Sequence, residues 1–99
     1  MINYKALEII VNHSKKFKIG KTGRNIVDHL AEPDYKLFYE HIISVLDTET
    51  ADEASAAEAH LIDKYINHPK CDNEKLGRQS LSDSMANEGC PYHVYIVWR

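Results

Sequence analysis

The sequence predicts a small α+β domain: an antiparallel or mixed sheet of three to four strands flanked by helices. Three observations carry this. Apolar residues alternate with period two near the start of the chain and again in its last segment, "YHVYIVW". A stripe of helical period runs through the middle, opened by the capping box Thr50–Glu53. The chain has 99 residues and 43% hydrophobic residues, enough for one domain with one modest core.

In chain order, "ALEIIVN" sets Leu7, Ile9 and Val11 on one side and Glu8 and Ile10 on the other, the pattern of a strand. "HSKK" reads as a turn. "FKIG" then places Phe17 and Ile19 on one face and Lys18 and Gly20 on the other, so residues 5–20 are expected to form a β-hairpin. "RNIVDHLAE" groups Ile26, Val27, Leu30 and Ala31 at helical spacing and stops before Pro33, a short helix. "LFYEHIISVLD" is rich in branched and aromatic residues and predicts a third strand over about residues 38–46. The longest helix follows over about residues 51–67, ending before Pro69. "SLSDSMAN" suits a final short helix with Gly89 as its stop, and residues 92–98 a closing strand.

No apolar run approaches the length of a membrane span, and "MINYKALEII" lacks the basic segment and long apolar stretch of a secretory signal. The two cysteines, Cys71 and Cys90, are too few for a disulfide scaffold, so a cytoplasmic location with reduced thiols is expected. The net charge of -3 conceals an asymmetry. Residues 1–24 set Lys5, Lys15, Lys16, Lys18, Lys21 and Arg24 against Glu8 alone, a net of +5. Residues 25–63 set ten acids against Lys36, a net of -9. A basic N-terminal edge on an acidic body could meet a phosphate backbone with one face, or serve only to keep an exposed hairpin soluble.

The densest chemical signal is "FKIGKTGR", Phe17 to Arg24. Its "GKT" is not a nucleotide-binding loop: that motif requires glycine at the position held by Lys15, and a long helix directly after it. Glu58 is the second signal. Ala51, Ala54, Glu58, Leu61 and Tyr65 form one helical stripe, with a carboxylate where an apolar residue is expected. A carboxylate on a buried seam needs a partner or a metal. The alternative is a stripe-margin position paired with a lysine.

"KIGKTG", after a strand-turn-strand pattern and before a short helix, resembles the second signature of the GIY-YIG nuclease superfamily, in a branch with K-I-G in place of Y-I-G. The later "EASAAEAHLIDKYI", "CDN" and "LG" are similar to the family's Ala-rich helix, asparagine and glycine, so the resemblance spans about residues 5–78. The family's first signature would fall within Ala6 to Val11, a segment with neither glycine nor tyrosine. The resemblance implies a GIY-YIG-like fold and a metal-dependent endonuclease acting on DNA. Glu58 would hold a divalent ion, magnesium, at the scissile phosphate. Lys18 would stand in for the second tyrosine, Arg24 would steady the phosphate, His29 would polarise water or contact the backbone, and Asn73 would match the late asparagine. Against these stand a solvated basic turn for Lys18 and Arg24, and an ordinary helix-surface histidine for His29.

His68–Cys71 and Cys90–His93 form a mirrored pair, H-x2-C and C-x2-H, which could hold a structural zinc ion. Two reduced, partly buried thiols are the alternative. Three functions are thus expected in turn: a DNA-cleaving domain, a catalytically silent nucleic-acid-binding or protein-interaction module of the same fold, and a small zinc-stabilised regulatory domain.

Overall fold

The computed structural model describes residues 1–81 and 91–99. The described elements are α1 (Tyr4–His13), β1 (Phe17–Thr22), α2 (Ile26–Leu30), α3 (Pro33–Lys36), β2 (His41–Thr48), α4 (Ala51–Tyr65), α5 (Gly77–Ser80) and β3 (Tyr92–Trp98). The fold is α+β, with a three-stranded antiparallel sheet in the order β1-β3-β2. Among the described residues, no helix is long and apolar enough to cross a membrane.

The expected hairpin over 5–20 does not form, because its first half is helix. Leu7, Ile10 and Val11 are spaced i, i+3, i+4 and share a buried stripe, while Ile9, which the alternating pattern needs inside, is 53% exposed. Asn3 caps the helix by accepting from the Ala6 amide at 3.1 Å. At the other end Lys70 Nζ donates to the carbonyls of Val11 and Asn12 at 3.0 and 3.2 Å, satisfying acceptors the helix leaves open. Pro33 ends one helical segment and then begins α3, where a missing amide costs nothing. The helix expected in "SLSDSMAN" lies largely outside the described residues; α5 covers Gly77–Ser80.

The long helix and the closing strand form as expected. Thr50 accepts from the Glu53 amide at 3.2 Å, and Ala54, Glu58, Leu61 and Tyr65 are buried along one stripe of α4. The last strand lies at the centre of the sheet. It pairs β1 on one side, Gly20 opposite Tyr95, and β2 on the other, with a bulge at Val45 between Ser44 and Leu46.

The sheet separates two layers. One face sets Phe17, Ile19, Val45, Val94 and Ile96 against Leu7, Ile10 and Val11 of α1 and Ala54, Leu61 and Ile62 of α4. The other sets Tyr95 and Val97 against Tyr39, Leu30 and Tyr35. Edge strand β1 is blunted over its first half by residues 70–73. Phe17 donates to Lys70 O at 3.0 Å and accepts from the Asp72 amide at 2.8 Å. Asn73 continues the ladder with its side chain, accepting from Ile19 N and donating to Ile19 O, both at 2.8 Å. Beyond Ile19 the edge opens into a cleft.

Candidate functional site

The cleft follows the β1 edge between the α2–α3 layer and α4–α5, with a volume of about 830 Å³. Lys18, Arg24, His29, Glu58 and Asn73 all line it, although they lie as far apart in the chain as residues 18 and 73. Strand parity sends Lys18 and Gly20 towards one layer and Lys21 towards the other. Lys18 Nζ stands 5.8 Å from the centre of the Tyr35 ring.

Gly20 is required because Tyr95 crosses directly over it. A Cβ there would come within 2.3 Å of the Tyr95 hydroxyl. That hydroxyl sits between two partners, His29 Nε2 at 2.8 Å and the Tyr35 hydroxyl at 2.8 Å. His29 Nδ1 faces Glu32 at 3.5 Å, which favours a proton on Nδ1 and leaves Nε2 to accept from Tyr95. Glu32 also takes an ion-paired hydrogen bond from Arg24. Burial lowers the His29 pKa below its ordinary 6.5, with Arg24 adding to the effect and Glu32 opposing it. The ring is therefore neutral near pH 7. Burial, with the neighbouring Tyr35, Glu58 and Glu32, raises the Tyr95 pKa far above that of a free phenol, so its hydroxyl keeps its proton.

Glu58 is 5% exposed at the cleft floor. It accepts a short hydrogen bond from Ser80 Oγ and lies 3.7 Å from Lys21 Nζ. The two alternatives drawn from the sequence both hold in part: the carboxylate is buried on its stripe, and it is paired with a lysine. Lys21 is held more closely elsewhere, donating to Ser80 O at 2.7 Å and to Ser55 Oγ at 3.0 Å. Glu58 is thus its longest contact. Magnesium often takes one carboxylate and completes its shell with water and phosphate oxygens; Glu58 is the carboxylate this cleft floor offers, and Ser80 and Lys21 already hold it. Among the described residues, no group of three or more His, Cys, Asp or Glu side chains could hold a metal.

Arg24 reaches the cleft from the turn after β1, with its amide donating to Thr22 Oγ1 at 3.1 Å. Asn73 lies in the cleft wall, but its amide group is spent on the Ile19 backbone, so its role there is to hold β1. The residues missed by the sequence reading are Lys21, Glu32, Tyr35, Ser80 and Tyr95. Lys21 stood within the quoted stretch. The only signal for Tyr95 was its alternation against Val94 and Ile96, which marks a second face without saying what lies across it.

His93 does not approach His68 and Cys71. Cys71 bridges to Phe17 at one end of β1, and His68 packs on the Phe17 ring at 5.5 Å between centres. His93 lies opposite Thr22 at the other end and bonds Asp47 at 2.6 Å. Five residues of strand separate the two positions, about 16 Å, far beyond what ligands of one zinc ion allow. Cys90 is outside the described residues. No family model, curated protein or solved structure matches the chain.

Proposed function

We propose that the chain is a divergent GIY-YIG-like domain that binds DNA along the β1 edge and hydrolyses a phosphodiester there, with magnesium on Glu58. The observation that carries this is the convergence of Lys18, Arg24, His29, Glu58 and Asn73 on one cleft. A second observation supports it. The resemblance calls for a tyrosine on the strand beside K-I-G, and Ala6 to Val11, where that signature would fall, is helix. The strand that does pair with β1 is β3, and it carries Tyr95 opposite Gly20. In this reading Tyr95 stands in for the missing hydroxyl, from the other end of the chain.

In this reading Lys18 and Arg24 receive the phosphate, the guanidinium of Arg24 being held by Glu32. Attacking water loses its proton to the Tyr35 hydroxyl as Tyr35 passes its own to Tyr95 and Tyr95 passes its own to neutral His29. The water oxygen bonds to phosphorus, and the P–O bond to the leaving oxygen breaks, that oxygen taking a proton from water in the cleft. Glu32 stabilises the imidazolium that results. Magnesium bound by Glu58 would supply charge stabilisation at the phosphate.

The test is nicking of supercoiled plasmid with magnesium by the purified chain, alongside Glu58→Gln. The expected result is cleavage by the wild type and at least a hundredfold loss in the variant, with a melting curve confirming that the variant folds. Undiminished cleavage by Glu58→Gln overturns the assignment. One feature favours the catalytically silent module instead: Lys21 already neutralises Glu58 from 3.7 Å. Salt-sensitive DNA binding without cleavage in any divalent metal would select that reading.

A further inference from the structure

We propose that Phe38, backed by Leu37, is a stacking platform for an unstacked nucleobase at the mouth of the cleft, so that the preferred ligand is single-stranded DNA. The inference rests on the reading of the cleft as a phosphodiester site and names the form of nucleic acid it takes.

Phe38 lines the cleft and is 60% exposed, and Leu37 beside it is 79% exposed. The segment that carries them is anchored on both sides. The amides of Phe38 and Tyr39 both donate to Tyr35 O, at 3.0 and 2.8 Å. Tyr35 is tied to Tyr95, and the Tyr39 hydroxyl donates to Asp72 at 2.8 Å across the β1 edge. A phenyl ring presented to solvent between two anchored tyrosines is not explained by packing, since the core is closed without it. The charge beside it fits a nucleotide. Lys18 lies over the Tyr35 ring, and two acids of the lining are engaged, Glu32 with Arg24 and Asp72 with Tyr39 and, at 4.0 Å, with Lys16; Glu74 lines the cleft beside Lys75. A ligand that offers a flat π face a short step from a phosphate matches both features. In a duplex that face is covered by the neighbouring base pair; in a single strand it is free.

The experiment is fluorescence anisotropy with a labelled oligothymidylate and with a blunt duplex, in EDTA, using the full chain. Wild type is expected to bind the single strand more tightly. Phe38→Ala should weaken that binding about tenfold while leaving duplex binding unchanged, and Phe38→Trp should restore it. If Phe38→Ala binds the single strand like wild type while binding still falls with salt, the platform is wrong and the cleft reading survives. If wild type binds neither nucleic acid, both fall. If light scattering shows that Phe38→Ala splits a wild-type dimer, the patch is a contact between copies and the platform is overturned.

Discussion

The two faces of the sheet are built from the same strands and do different work. On the α1–α4 side, Phe17, Ile19, Val94 and Ile96 are at most 1% exposed and belong to one apolar cluster. On the α2–α3 side, the same stretch of β3 presents Tyr95, whose hydroxyl is bonded to His29 and Tyr35 and which opens towards the cleft. Alternation along one strand thus puts an apolar cluster on one face and a hydrogen-bonded network on the other. The centre of the dry face can be rigid because Phe17, Ile19, Val94 and Ile96 bring no side-chain polar group to satisfy; Lys21 and Glu58 meet at its margin, on the cleft floor. The tyrosine face must carry a hydrogen-bond network, and a network is only as good as its least satisfied member.

Three changes would sharpen or break that contrast, from the largest effect to the smallest. Phe17→Ala removes a fully buried ring from the dry face and should cost about 3–5 kcal/mol in urea unfolding. A loss under about 1 kcal/mol would mean that this face is not the core. Gly20→Ala drives a methyl group into the Tyr95 hydroxyl and should cost about 1–3 kcal/mol, with the ring displaced from His29. A crystal structure of this variant with the Tyr95–His29 bond intact would refute the crossing.

The third is a pH effect. The His29 pKa is lower in the folded protein than its ordinary 6.5, so below that pH the unfolded chain takes up a proton that the folded one does not. Stability should therefore fall as pH drops from 6.5 towards the folded pKa, and level off below it. Melting temperatures of wild type and His29→Gln across this range check it: the variant should show a shallower slope, and equal slopes would remove His29 as the source.

Much of the site was legible in the sequence, and for local reasons. Lys18 and Gly20 share a face because strands alternate, and Glu58 is buried because its stripe is helical. Both follow from periods readable without a partner. The segment Leu7 to Val11 failed for the same reason. With Leu7, Ile9, Ile10 and Val11 all apolar, it satisfies a period of two and a period of 3.6, and only burial against β2 and α4 chooses between them. His29 was read as a candidate without its partner, and Asn73 without the backbone it holds, because both contacts join residues more than fifty apart.

By itself, then, the sequence determined an α+β chain with strands at "FKIG" and "YHVYIVW", a capped helix carrying one carboxylate on an apolar stripe, and a basic turn after "FKIG". Only the tertiary structure decided that the last strand lies at the centre of the sheet, that Tyr95 brings a hydroxyl beside Gly20, that Lys21 meets Glu58, and that His93 stands apart from His68 and Cys71. The reason is physical. Side-chain period is a property of a segment, whereas strand order and partner choice depend on which distant surfaces bury each other at the least cost in unsatisfied polar groups.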